Sequence, residues 1–184
     1  MSTEAGILAG DGSWPFVARI VGDDVICDNV MATCFGGWGT GREEDDLDDG
    51  RTASGRNTKT EEVWGVSLPM DSRFWPRMDQ TDPGGYKALY GAPFPRFPWG
   101  TQVEVTIGGV SHIPRDGIVD LGPGKRATRR DDQLAHALDL TVLAAALWSK
   151  LPLVELANSF EARTRIRIIG GAKYCLTAPK ALLG

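Results

Sequence analysis

Alternating hydrophobic and polar positions recur along this chain and predict short β-strands. The clearest alternation covers 101–107, where one face carries Val103, Val105 and Ile107 and the other carries Gln102, Glu104 and Thr106. Gly108-Gly109 then predicts a hairpin turn, and the strand returns over 110–121. A second hairpin is predicted over 16–30, where two apolar runs flank Gly22-Asp23-Asp24.

Three more strands and one helix complete the regular elements. The strands are predicted at 30–35, 63–68 and 163–170, and Ile166 and Ile168 of the last strand are predicted to face inward. Thr141 predicts an N-cap for a helix from Val142 to about Lys150, which Pro152 would stop. The order of strands, loop, strands, one helix and strand favours a small, mainly β barrel with long irregular loops.

Two irregular segments interrupt the strands. The stretch 37–62 is rich in glycine and charge and predicts a long polar loop. The stretch 71–98 carries five prolines and six aromatic residues, and this proline density excludes a helix or a central strand. Its aromatic side chains either pack over a surface or form a platform for stacking a ligand.

Composition narrows the classes of function. The 184 residues, 42% of them hydrophobic, predict one domain with an extension, and a net charge of −4 gives no broad attraction to nucleic acid. The three cysteines form no CxxC pair, which argues against a zinc site or a disulfide scaffold, although a bridge between Cys27 and Cys34 stays open. We expect no metal and no cofactor. The first residues show no secretory signal, and no run is long enough for membrane insertion.

Two carboxylates are the candidates for chemistry. Asp120 and Asp139 each follow an apolar run, on either side of a Gly/Pro turn and the basic loop 125–130. Paired, partly buried carboxylates perform acid/base chemistry on sugars. The structural alternative is that Asp120 opens a turn and Asp139 lies near a helix start, which are both common roles of aspartate.

Five short motifs, in this order, resemble the rare-lipoprotein-A-like double-psi β-barrel, the superfamily of expansins, family-45 glycoside hydrolases and lytic transglycosylases. The matching stretches are Ala32-Thr33-Cys34-Phe35-Gly36, Gly50-Arg51-Thr52-Ala53-Ser54-Gly55, Leu68-Pro69 with Trp99-Gly100-Thr101, Asp120-Leu121-Gly122-Pro123, and Leu138-Asp139-Leu140-Thr141. The resemblance implies a six-stranded barrel over 30–171 with one short helix and the insertion 71–98. Residues 1–29 would form an N-terminal arm and hairpin, and 172–184 a tail.

The resemblance also implies the roles of individual residues. Asp139 would be the general acid/base at a glycosidic bond, with Asp120 beside it. The substrate-binding residues would be the polar Thr33 and Thr52, the stacking Trp75, Tyr86 and Trp99, and His136, three residues before Asp139. The family's histidine before L-P is missing in Val63-Trp64-Gly65-Val66-Ser67-Leu68-Pro69, where Ser67 or Asp71 is a candidate replacement.

Two functions follow as expectations. The first is an enzyme that cleaves peptidoglycan glycan strands, and the alternative is a structural or polysaccharide-binding module that uses the same barrel without chemistry. Because the family acts at the cell wall and no signal peptide is visible, we expect synthesis in the cytoplasm and assembly into a phage tail tip, baseplate or injection particle. Its partners would be cell-wall polysaccharide and other particle proteins.

Overall fold

A computed structural model describes residues 5–7, 18–40, 50–68, 97–121 and 135–174. The protein is mainly β, as predicted, with nine strands in one mixed sheet and two short α-helices in this part of the chain. The strands are β1 Ala5–Ile7, β2 Ala18–Val21, β3 Asp24–Phe35, β4 Gly65–Leu68, β5 Val103–Ile107, β6 Val110–His112, β7 Gly117–Leu121, β8 Ala135–Thr141 and β9 Ala162–Ile168. The helices are α1 Val142–Ala145 and α2 Leu153–Ser159, and a 3-10 helix covers Gly171–Tyr174.

The sheet is built around the 12-residue strand β3. The strand order is β6-β5-β9-β3-β8-β4-β7, and β2 and then β1 extend from the first half of β3. Two pairs, β3–β8 and β4–β7, are parallel, and the other pairs are antiparallel. Because β3 is long, it pairs with β2 over its first half and with β8 over its second half. It also crosses the predicted boundary between residues 29 and 30.

Both predicted hairpin turns form, but the strand predicted over 110–121 is two strands: β6 pairs with β5, whereas β7 pairs with β4. A turn separates them, in which Gly117 N–H donates to the Pro114 carbonyl and Gly117 has a φ of 62°. The β2–β3 hairpin turns at Gly22, and the β5–β6 hairpin turns at Gly108 and Gly109, whose φ angles are 57° and 83°. A left-handed conformation at both turn positions is the signature of the tight turn that suits twisted strands, and glycine adopts it without steric cost. Sequence therefore predicted these two hairpin turns correctly because their chemistry is local.

The hydrophobic core lies on one face of the sheet. Alternate residues of several strands meet there: Val25, Cys27, Val30 and Ala32 of β3, Val66 and Leu68 of β4, Val103 and Val105 of β5, Leu138 and Leu140 of β8, and Ile166 and Ile168 of β9. The predicted inward direction of Ile166 and Ile168 is confirmed, since each is 3% exposed. Side chains between these positions point to the opposite, outer face.

The helical region differs from the prediction of one helix over about 142–150. α1 ends after four residues, and Pro152 stands at the N-cap of a second helix instead of only stopping the first. Proline has no backbone N–H to leave unsatisfied, so it suits the start of a helix as well as the end of one. Thr141 caps α1 as predicted, since its hydroxyl accepts the Ala144 N–H. None of the helices described is long and apolar enough to cross a membrane.

A bridge between Cys27 and Cys34 is excluded by the fold. Both lie on β3, seven residues apart, which is about 23 Å of extended strand. A disulfide requires Cα atoms within about 7 Å. The Cys34 thiol instead donates to the Leu156 carbonyl at 3.1 Å and so joins β3 to α2.

The stretch before β5 also contacts the far end of the sheet. Gly100 N–H donates to the Ile118 carbonyl at 2.9 Å, and Ile118 N–H donates to the Thr101 carbonyl at 3.0 Å. Gly117 has a φ of 62°, and a Cβ there would lie 2.5 Å from the Thr101 carbonyl oxygen. Glycine at 117 therefore permits this close approach between 100–101 and β7.

Candidate functional site

Four polar residues lie side by side across four neighbouring strands. Thr33 of β3 pairs with Asp139 of β8, Asp139 pairs with Ser67 of β4, and Ser67 pairs with Asp120 of β7. Residues paired directly across strands point their side chains to the same face of a sheet. We call Thr33, Asp139, Ser67 and Asp120 the polar row. It contains both carboxylates predicted for catalysis.

The polar row is on the outer face of the sheet. Its neighbours along the strands, Ala32, Val66, Leu138 and Leu140, belong to the hydrophobic core on the inner face. The pairing is irregular at Met31/Ala32 and at Val66/Ser67. Because of these irregularities, residues that face the core on one strand stay paired with residues that face the core on the next. Asp120 and Asp139 are separated by one strand, which sets their Cα atoms about 10 Å apart.

Thr33 orients one carboxylate of the row. Its hydroxyl donates a hydrogen bond to Asp139 Oδ1. Threonine is β-branched and has few rotamers, so this donor is held in place by the strand backbone. The predicted groove residue Thr33 and the predicted acid/base Asp139 are therefore in direct contact.

A small hairpin over residues 50–58 lies against the outer face. Thr58 N–H donates to the Gly50 carbonyl at 2.8 Å, Thr52 N–H donates to the Arg56 carbonyl at 2.8 Å, and Gly55 turns with a φ of 89°. This 50–58 hairpin is the stretch that matched the glycine-rich motif. Its hydroxyls are in contact near the tip, where Thr52 Oγ1 lies 2.9 Å from Ser54 Oγ.

The tip of the 50–58 hairpin holds the second carboxylate. Ala53 N–H donates to Asp120 Oδ1 at 2.7 Å, and Ser54 N–H donates to the Val119 carbonyl at 3.0 Å. At the other end of the hairpin, Thr58 lies so close to Gly36 that a Cβ on Gly36 would approach it to 3.0 Å. The hairpin thus extends from the end of β3 to β7, along the direction of the polar row.

Ion pairs of Arg56, which lies next to the turn of this hairpin, join it to Glu61 and to the turn before β7. Arg56 Nε lies 2.6 Å from Glu61 Oε2, and its Nη1 lies 3.6 Å from Asp116 Oδ1. Partial burial alone would raise the pKa of Asp116. Hydrogen bonds from Arg115 and the Trp64 N–H, with the charges of Arg115 and Arg56, outweigh burial and hold this pKa below its ordinary value. The network stabilises the hairpin in its position over the sheet.

The other residues predicted to bind substrate lie in different parts of the fold. Thr52 is 6% exposed within the hairpin, and Trp99 is 42% exposed just before β5. His136 lies on β8, opposite Met31 of β3, two pairs before the polar row. Trp75 and Tyr86 fall outside the described residues, as do the basic loop 125–130 and almost all of the insertion 71–98.

Ser67 is the member of the row that the sequence identified least well. The sequence indicates Ser67 only as one candidate replacement for a missing histidine, whereas in the structure it lies between both carboxylates. Its side chain is 2% exposed, and its hydroxyl has no hydrogen-bond partner. The feature that could have identified Ser67 in the sequence is a single hydroxyl in an otherwise apolar strand. That strand, Gly65–Leu68, is fully buried in the structure.

A groove lies elsewhere on the outer face. It occupies about 440 Å³ beside β2, β3, β5 and β9, and Asp24, Glu104, Arg165 and Arg167 line it together with Val21, Ile26, Thr106 and Ser111. Opposite charges within the groove pair with one another: Arg167 lies 2.6 Å from Asp24 and 3.9 Å from Glu104. Across the described ranges, no three His, Cys, Asp or Glu side chains come together as a metal site would require.

No protein-family model matches the chain, and no curated protein matches it in sequence. The resemblance to the double-psi barrel superfamily therefore stays a prediction from the motifs.

Proposed function

We propose that this protein engages cell-wall glycan strands at the polar row and cleaves them there. The observation that carries the proposal is the convergence of distant motifs. Thr33, the 50–58 hairpin, Asp120 and Asp139 come from four separate stretches of sequence, and they meet on one face of the sheet. Paired carboxyl groups with fixed donors suit acid/base chemistry at a glycosidic bond.

In the proposed reaction, Asp139 delivers a proton to the glycosidic oxygen as the bond to the anomeric carbon breaks. A hydroxyl of the same sugar attacks that carbon and returns its proton to the Asp139 carboxylate, so no water is consumed. The Thr33 hydroxyl orients the Asp139 carboxyl group, and Asp120 stabilises the positive charge that develops on the sugar ring.

We further propose that β3, β4, β5, β7, β8 and β9 form the six-stranded double-psi barrel. Two parallel pairs, β3–β8 and β4–β7, support this arrangement. The hydrogen bonds between 100–101 and Ile118 also support it, because they join the stretch before β5 to β7. A crystal structure in which β7 lies open to solvent along this edge would contradict the barrel.

A non-catalytic, polysaccharide-binding role is the second candidate. The observation that favours it is the burial of two of the hydroxyl groups, since Ser67 and Thr52 are only 2% and 6% exposed. Zymography on purified cell wall separates the two candidates. Clearing by the parent protein that disappears in Asp139→Asn supports the enzyme, whereas sedimentation with peptidoglycan without clearing supports the binding module.

For its setting we propose a phage tail tip, baseplate or injection particle. Among the described strands, β1 pairs only with β2, so it offers an edge to which a neighbouring protein can add a strand. Mass spectrometry of purified particles from the source, together with sizing of the isolated protein, tests this setting. A protein that is absent from particles and monomeric in solution would contradict it.

A further inference from the structure

Among the residues that the structure describes, buried hydroxyl groups are hydrogen-bonded to the protein itself, with one exception. Thr58 donates to the Gly50 carbonyl, Thr164 donates to the Val30 carbonyl, and Thr141 accepts the Gly65 and Ala144 N–H groups. In the described part of the chain, Ser67 Oγ is the one buried side-chain oxygen or nitrogen without a partner. Buried polar groups are nearly always satisfied in folded proteins, so an exception calls for an explanation.

The neighbours of Ser67 determine which kind of chemical group can form a hydrogen bond with its hydroxyl. A ligand atom next to Ser67 Oγ would lie between Asp139 on β8 and Asp120 on β7. An anionic group would meet two carboxyl groups there and be repelled. A hydroxyl can accept from Ser67 and donate to a carboxylate at the same time. The chemistry of the row therefore favours the hydroxyl of an uncharged sugar unit.

The 50–58 hairpin extends along the polar row, from Gly36 at the end of β3 to Asp120 on β7. The row of four strands is about 14 Å wide, and the hairpin arm from Gly50 to Ser54 has about the same length. The hairpin is fastened at its tip by the bonds from Ala53 and Ser54 to β7. Opening of these two bonds would free the hairpin tip from β7.

We propose that Ser67 is a substrate-contact residue that hydrogen-bonds a neutral sugar hydroxyl between the two carboxyl groups, and that the tip of the 50–58 hairpin moves to admit it. The inference rests on the proposed function, because it names the part of the glycan that this same row recognises. It differs from a structural role of Ser67, in which the hydroxyl would stabilise the fold.

The test compares two substitutions that each remove one buried hydroxyl. Ser67→Ala should leave the thermal unfolding midpoint unchanged or higher, because no hydrogen bond within the protein is lost. It should weaken sedimentation binding to purified peptidoglycan by about tenfold. Thr164→Val is the matched control: it removes the bond to the Val30 carbonyl on the core face, so the midpoint should fall while binding stays at the parent level.

The outcomes separate the inference from the proposed function. Parent protein that neither binds nor clears peptidoglycan overturns both. Parent binding that Ser67→Ala matches overturns the inference alone, and so does a fall in the unfolding midpoint of Ser67→Ala as large as that of Thr164→Val.

Hydrogen exchange tests the movement of the hairpin. The amide protons of Ala53 and Ser54 are bonded to β7 in this structure, so they should exchange faster, by about tenfold, when peptidoglycan fragments are bound. Exchange that stays constant or slows on binding would mean that the hairpin remains closed, and the proposed access to Ser67 would be wrong.

Discussion

Two polar clusters share the outer face of the sheet, and they differ in how their buried groups are satisfied. At the start of β3, Asp24 is 9% exposed and accepts hydrogen bonds from Arg167 Nε at 2.6 Å and Gly170 N–H at 2.7 Å. In the polar row, Ser67 is 2% exposed and has no partner. A cluster satisfied by its own fold contributes stability, whereas an unsatisfied one leaves bonding capacity for a ligand.

The electrostatic interactions of Asp24 also indicate that the first cluster has a structural role. Burial alone would raise the pKa of Asp24, but the hydrogen bond from Gly170, together with the hydrogen bond and the charge of Arg167, lowers it below its ordinary value. The same ion pair raises the pKa of Arg167. This aspartate is therefore held in its ionised form by the fold, and we expect no part for it in glycan chemistry.

The largest expected effect is on activity in the polar row. Asp139→Asn keeps an oxygen that can accept the Thr33 hydroxyl but loses the acid/base group, so clearing of cell wall should fall by about 100-fold or more. The free energy of unfolding should change by less than about 1 kcal/mol. Cell-wall clearing assays with urea unfolding measure both, and clearing at the parent rate would remove Asp139 from the mechanism.

The reverse result is expected at Asp24. Asp24→Asn loses the charged partner of Arg167 and should lower the free energy of unfolding by about 2 kcal/mol, while cell-wall clearing or binding stays at the parent level. Urea unfolding measures the expected loss of stability, and the same cell-wall assay measures whether clearing or binding is retained. If Asp24→Asn abolished clearing in a protein that remains folded, the division into a structural and a functional cluster would fail.

The pH dependence of stability should follow the structural carboxylates. Asp24 and Asp116 both have folded-state pKa values below the ordinary 3.8, so their contribution is complete above that pH. As the pH falls below it, the unfolded state binds protons first and the contribution is lost toward the lower folded pKa. Urea unfolding between about pH 2 and pH 6 should show this acid limb, with a shallower slope in Asp24→Asn. An identical slope in both proteins would mean that Asp24 is not the group responsible.

The smallest effect is expected from an exposed ion pair on the same face. Arg165 lies 3.3 Å from Asp28, and the two side chains are 53% and 34% exposed. Arg165→Ala should change the free energy of unfolding by less than about 0.5 kcal/mol, because solvent screens such pairs. A loss comparable to that of Asp24→Asn would show that burial is not what distinguishes the first cluster.

The sequence alone determined the elements whose signals are local. Gly108-Gly109 set the β5–β6 turn, alternation predicted which residues of β5 and β9 face the core, and Thr141 predicted the start of α1. The second helix was not predicted, because Pro152 carries the same local signal whether it ends one helix or begins another. Asp120 and Asp139 could be selected because each follows an apolar run.

Only the tertiary structure decided which of these residues meet. Strand pairing between β3, β8, β4 and β7 joins residues up to 106 positions apart, as in the bond from Thr33 to Asp139. That pairing depends on parallel registers and on two irregularities in the ladder, and neither has a turn residue to specify it in sequence. The same pairing sets Ser67 between two carboxylates. A serine in a four-residue apolar strand has no local feature that marks it as unsatisfied, because satisfaction depends on which neighbours the folded sheet provides.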